Sequence, residues 1–137
     1  MPSPITISAQ RASPSRHSPC VDLNAIYQVV RTVAVTRGLI SYYDLALKYA
    51  SLTGGAPPAE PAQWDLALRE INNRLLATDL SAPPIGALVV LSHHPGPSEA
   101  FWDGGRNTPP RPRAVSDSLW KRIVAEVHDY DWPSTLP

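Results

Sequence analysis

Apolar residues recur at helical spacing in four stretches of this chain. Between Val21 and Thr36, Ile26, Val29, Val30 and Val33 fall at i, i+3, i+4 and i+7, which makes one core-facing stripe. Asp22 is the expected N-cap, and Gly38 is expected to supply the left-handed position that ends this helix. A second helix opens at Ser41, an N-cap with Asp44 three residues on, and gathers Tyr42, Leu45, Ala46 and Tyr49 on one face. Residues 52–61 contain Gly54, Gly55, Pro57, Pro58 and Pro61 and cannot stay helical. A third helix spans Ala62 to Thr78, buried through Trp64, Leu68, Ile71 and Leu75. It leaves Gln63, Asp65, Arg69, Glu70, Asn73 and Arg74 to its other faces.

The pattern then changes. Pro83 and Pro84 precede an unbroken apolar run from Ile85 to Leu91, read as a strand. A turn at His93, His94, Pro95, Gly96 and Pro97 leads to a short returning strand from Glu99 to Trp102. The fourth helical pattern covers Ser116 to His128, with Trp120, Ile123, Val124 and Val127 on one face. Tyr130 and Trp132 are expected to fold back on it as an aromatic clasp. The expected fold class is therefore α+β and mostly helical. It is a winged helix-turn-helix with three helices, a two-stranded wing and an additional C-terminal helix.

Composition sets the domain limits. A chain of 137 residues accommodates one core and not two. Residues 1–20 are rich in Ser and Pro and poor in apolar groups, so a disordered arm is expected there. The winged-helix domain is placed at 21–132, with a basic, proline-rich loop at 103–113 inside it and a tail at 133–137. Prolines at 2, 4, 14 and 19 and the lack of an apolar run argue against a secretory signal. No stretch approaches the roughly 20 apolar residues of a membrane span. A soluble, cytoplasmic protein without a membrane partner is expected.

Charge gives no global hint of a nucleic-acid partner, because the formal net charge is zero. Residues 21–102 carry five basic and seven acidic side chains, while residues 103–137 carry five of each. A slightly acidic core weakens non-specific phosphate binding but leaves room for a local basic face. Cys20 is the only cysteine, which excludes an internal disulfide and a four-cysteine zinc site. His93 and His94 are adjacent and lack an accompanying ligand cluster, so no metal site is expected. No phosphate loop, nucleophile elbow or paired-carboxylate spacing occurs, and neither an enzyme nor a cofactor is expected.

The run Ile40-Ser41-Tyr42-Tyr43-Asp44-Leu45-Ala46 resembles a helix start in the C-terminal domain of DNA alkylguanine alkyltransferases and their non-catalytic alkyltransferase-like relatives. Pro84-Ile85 is similar to the Pro-Ile that opens their active-site strand. Residues 21–132 as a whole resemble a family of small bacterial and phage proteins. The shared elements are the tyrosine-containing helix start, Pro83 to Val90, Pro95-Gly96 and Tyr130-Asp131-Trp132. The resemblance implies a DNA-binding fold in which Tyr42 contacts a phosphate. It does not imply alkyl transfer: Gly86-Ala87-Leu88-Val89-Val90 lacks the acceptor cysteine and its histidine. The family's base-flipping arginine has no clear counterpart either, since Trp64 and Asp65 fall near its place.

The functional expectation is a non-catalytic protein that binds double-stranded DNA through its third helix and wing. The candidate contacts are Tyr42, Tyr43, Arg69, Asn73, Arg74 and His94, with Arg106, Arg111 and Arg113 from the basic loop. Arg69, Asn73 and Arg74 lie at i, i+4 and i+5, and arginine and asparagine read guanine and adenine edges. Plainer roles exist for each of these groups. In these plainer roles Tyr42 or Tyr43 packs against the first helix, and Asp65 with Arg69 and Glu70 with Arg74 form intrahelical ion pairs. The loop arginines serve only solubility. The rival function is a protein–protein interaction module, motivated by the zero net charge and the exposed prolines and tryptophans.

Overall fold

The computed structural model describes residues 21–58, 60–91, 96–98, 101–102, 107–109 and 117–137. It is α+β and mostly helical. In chain order the elements are α1 (Leu23–Val35), β1 (Ile40–Ser41), α2 (Tyr42–Thr53), α3 (Pro61–Thr78), a 3-10 turn (Ile85–Leu88), β2 (Val89–Val90) and α4 (Asp117–Asp129). The strands form a two-stranded parallel sheet, with Ile40 opposite Val89 and Ser41 opposite Val90.

Helix starts follow local chemistry. The Asp22 carboxylate accepts from the Ala25 amide, and the Ser41 hydroxyl accepts from the Asp44 amide, so each satisfies an orphan donor of the first turn. Pro61 stands at the first position of α3, where its missing N–H costs nothing. The α2 helix stops at Gly54, which is left-handed at φ 73°.

The end of α1 corrects the sequence reading. Arg37, not Gly38, takes the left-handed conformation, at φ 60°. The Gly38 amide returns to Val33 O at 2.9 Å and the Arg37 amide to Ala34 O at 3.1 Å. This double closure consumes two orphan carbonyls and places the left-handed residue one position earlier than glycine preference suggests. Side chains from the far end of the chain hold it there. Arg37 Nη2 lies 2.7 Å from Asp129 Oδ1, and His128 Nε2 lies 2.9 Å from Gly38 O.

The apolar run after Pro84 is a second correction. Ile85 to Leu88 form a 3-10 turn, and only Val89 and Val90 are extended. Ile85, Ala87 and Leu88 are all buried, and a continuous apolar run does not distinguish strand from helical turn. The turn aims Ala87 O at α4, where the Trp120 indole N–H meets it at 3.0 Å. The partner of Val89 and Val90 is β1, reached across α2 and α3, because parallel pairing requires a long crossover. Phe101 and Trp102 are in a 3-10 turn, whereas Glu99 and Ala100 lie outside the described residues.

One core joins these elements: Ile26, Tyr27, Val30, Leu45, Ile71, Ile85, Leu88, Val89 and Val127 are all essentially inaccessible. The expected clasp is present. Trp132 is buried, its indole N–H donates to Val127 O at 2.8 Å, and its ring stands edge-on to Tyr130 with centroids 4.5 Å apart. The tail beyond it is held by α1. The Tyr27 hydroxyl and Arg31 Nε both donate to Pro133 O, at 2.6 and 2.9 Å, and Gln28 Nε2 donates to Ser134 O at 2.9 Å. Among the described residues no helix is long and apolar enough to cross a membrane.

Candidate nucleic-acid interface

The α3 helix carries a continuous exposed face. Burying Trp64, Ala67, Leu68, Ile71, Asn72, Leu75 and Leu76 leaves Gln63, Leu66, Arg69, Glu70, Asn73 and Arg74 in solvent. The spacing of the apolar residues sets this division, since positions three and four apart share a side of the helix. Arg69, Asn73 and Arg74 therefore stand together, as their spacing requires.

The two expected ion pairs of α3 part company. Arg74 Nε lies 3.6 Å from Glu70 Oε2, with both side chains about half exposed. Asp65 and Arg69 do not pair. The Asp65 carboxylate instead accepts a hydrogen bond from the Tyr42 hydroxyl at 2.6 Å and another from the Ser98 hydroxyl at 3.2 Å, both on Oδ1. Magnitudes explain the choice. A hydrogen bond to a charged group contributes about 1.5–3 kcal/mol when partly buried, whereas an exposed i,i+4 pair contributes about 0.3–0.5 kcal/mol. Two hydroxyls on Asp65 outweigh Arg69. Among the described residues Arg69 has no ion-pair partner.

Tyr42 is thus neither a free phosphate donor nor merely a packing residue. It is half-buried, and its hydroxyl connects α2 to α3. Burial, reinforced by the hydrogen bond to Asp65, pushes its pKa well above the ordinary tyrosine value, so it stays a protonated donor. Tyr43, its neighbour, is 68% exposed. Of the other candidates, His94, Arg106, Arg111 and Arg113 lie outside the described residues.

Asn72, which the sequence pattern does not single out, is a structural residue of this region. It is 5% exposed, and its side-chain amide exchanges hydrogen bonds with that of Asn107 at 2.9 and 2.8 Å. Asn107 Nδ2 also reaches Ala82 O at 3.0 Å. The signal was present in the spacing, because Asn72 falls four residues after Leu68 and beside Ile71, on the buried side of α3. These contacts anchor the basic loop to α3 at Asn107.

Between these groups lies a shallow cleft of about 30 Å³, lined among others by Tyr42, Asp65, Arg69, Asn72 and Phe101. That is space for about one water molecule and not for a substrate. A larger groove of about 390 Å³ runs between α1 and α2, with Val29, Val33 and Leu52 in its lining. No cluster of three or more His, Cys, Asp or Glu able to hold a metal ion occurs among the described residues. No known protein family, characterised protein or solved structure matches the chain.

Proposed function

We propose that this chain is a small, non-catalytic DNA-binding module of the cytoplasm. In this reading α2 and α3 form a helix-turn-helix, and the turn around His93 to Gly96, of which only Gly96 lies among the described residues, touches the backbone as the wing. The observation that carries the reading is that Arg69, one turn from Asn73 on the exposed face of α3, has no ion-pair partner among the described residues. A guanidinium without a carboxylate partner is free to meet a phosphate or a guanine edge, and Asn73 sits at the spacing that reaches the next base. The Leu91 amide donates to Gly96 O at 3.2 Å, and this contact at the proposed place of the wing supports the reading. The resemblance of Ile40 to Ala46 to the alkyltransferase helix start agrees with it.

Fluorescence anisotropy with a labelled duplex at low and moderate salt tests this. Arg69→Ala is expected to weaken binding about tenfold and to lower the salt slope by about one, the signature of one lost phosphate contact. Arg74→Ala is expected to matter less, because Glu70 already shares its charge. Absence of binding at low salt overturns the proposal.

A protein partner is the second reading, and one observation favours it. Tyr43 and Leu47 stand one turn apart on α2 and are 68% and 53% exposed. Adjacent apolar side chains in solvent suit a protein surface better than a phosphate backbone. Co-purification of a stoichiometric partner that Leu47→Asp abolishes, together with no duplex binding, decides for it.

A further inference from the structure

Asp65 stands between two alternatives. It is four residues N-terminal to Arg69, the order in which an acid and a base pair along a helix, yet its carboxylate is turned to Tyr42 and Ser98. The two hydroxyls come from different parts of the chain, the first turn of α2 and the segment after Gly96. Both elements must be docked on α3 for Asp65 to be occupied. If either hydroxyl is withdrawn, the nearest cation able to take its place along the helix is Arg69.

We infer that Tyr42 and Ser98 are positioning residues that hold Asp65 away from Arg69, and thereby keep Arg69 available to contact a backbone phosphate. The inference rests on the DNA-binding reading for the identity of the anion. It does not rest on that reading for the exchange of partners. It also gives Tyr42 a role other than touching the ligand. Its hydroxyl proton is spent on Asp65, and its effect on binding passes through Arg69. The acid next to the recognition face, which repels phosphate, is in the same step tied down by neutral donors.

The test compares the unsubstituted chain with Tyr42→Phe, Ser98→Ala, Asp65→Asn, Arg69→Ala and the double variant Tyr42→Phe/Asp65→Asn. Two measurements run in parallel. One is the salt dependence of binding to a short labelled duplex, and the other is the NMR resonance of the Arg69 Nε–Hε group without DNA. Tyr42→Phe is expected to copy Arg69→Ala, with affinity down about tenfold and the salt slope down by about one. Ser98→Ala is expected to show a smaller change in the same direction. The double variant, with no carboxylate to capture Arg69, is expected to recover the slope, and Asp65→Asn alone to bind at least as well as the unsubstituted chain. The Arg69 resonance is expected to move in Tyr42→Phe and to return in the double variant.

A resonance that stays in place in folded Tyr42→Phe overturns the inference, even where Arg69→Ala still weakens binding and the DNA reading stands. Weaker binding by Tyr42→Phe that Asp65→Asn does not restore overturns it as well, because it then reports only structural damage. If the unsubstituted chain binds no duplex, the DNA reading and the phosphate role fall together. The resonance still decides whether Asp65 exchanges partners.

Discussion

Asn72 on α3 and Asn107 in the basic loop, 35 residues apart, donate to each other's side-chain carbonyls at 2.9 and 2.8 Å. The pair is buried on the α3 side, and Asn107 spends its second N–H on Ala82 O. Each amide satisfies the other, so removing one leaves the remaining one without its partner. Asn72→Ala is expected to lose about 1–3 kcal/mol of stability, measured by urea denaturation. A loss below a few tenths of a kcal/mol would show that solvent replaces Asn107 freely. Asn73→Ala, on the exposed face, is expected to leave stability unchanged within about 0.5 kcal/mol.

Trp132 is the second buried anchor. Trp132→Ala removes a 4%-exposed ring and the indole N–H that caps Val127 O, one of the last carbonyls of α4. The expected loss is about 3–5 kcal/mol, as for other buried aromatics. Trp132→Phe keeps most of the packing and forfeits the hydrogen bond, for a loss of about 1–3 kcal/mol. Equal losses in the two variants would mean that the hydrogen bond, and not the ring, carries the clasp.

Tyr130 donates a short hydrogen bond to the Asp79 carboxylate. That bond, assisted by burial, pushes the Tyr130 pKa from 10.0 up to about 12, and it holds Asp79 below its ordinary value of 3.8. The signs differ at the two ends of the pH scale. A raised tyrosine pKa gives stability that is present below 10 and lost as pH rises from 10 towards 12. A lowered carboxylate pKa gives stability that is present above 3.8 and lost as pH falls through the folded value. Thermal melts should therefore show the unsubstituted chain ahead of Tyr130→Phe between these limits, with the gap closing above pH 10. A gap that persists unchanged at about pH 11, roughly midway through that titration, counts against the contact.

Arg37 poses a contest between strain and charge. At φ 60° it occupies a region that costs a residue with a Cβ about 1 kcal/mol. Its ion pair with Asp129 is exposed on both sides, at 63% and 67%, and such pairs contribute about 0–1 kcal/mol. Arg37→Gly is expected to be neutral or to stabilise by up to about 1 kcal/mol. Destabilisation beyond that would show that the Asp129 contact is worth more than its exposure allows.

What the sequence by itself determined is whatever depends on neighbours a few residues apart. Helix periodicity placed α1, α2, α3 and α4 within a residue or two, and the capping chemistry of Asp22 and Ser41 marked two of their starts. The Trp132 clasp was legible because a large aromatic residue close behind an amphipathic helix has little else to bury against. Tertiary structure decided the rest, through contacts that no local pattern encodes. Val89 and Val90 pair with Ile40 and Ser41 because α2 and α3 carry the chain across to a parallel partner, where spacing alone suggested a hairpin. Arg37 rather than Gly38 turns left-handed because residues 128 and 129 arrive to hold that corner. Asp65 leaves Arg69 because two hydroxyls from distant segments converge on one carboxylate oxygen, and partly buried hydrogen bonds to a charge outweigh an exposed ion pair.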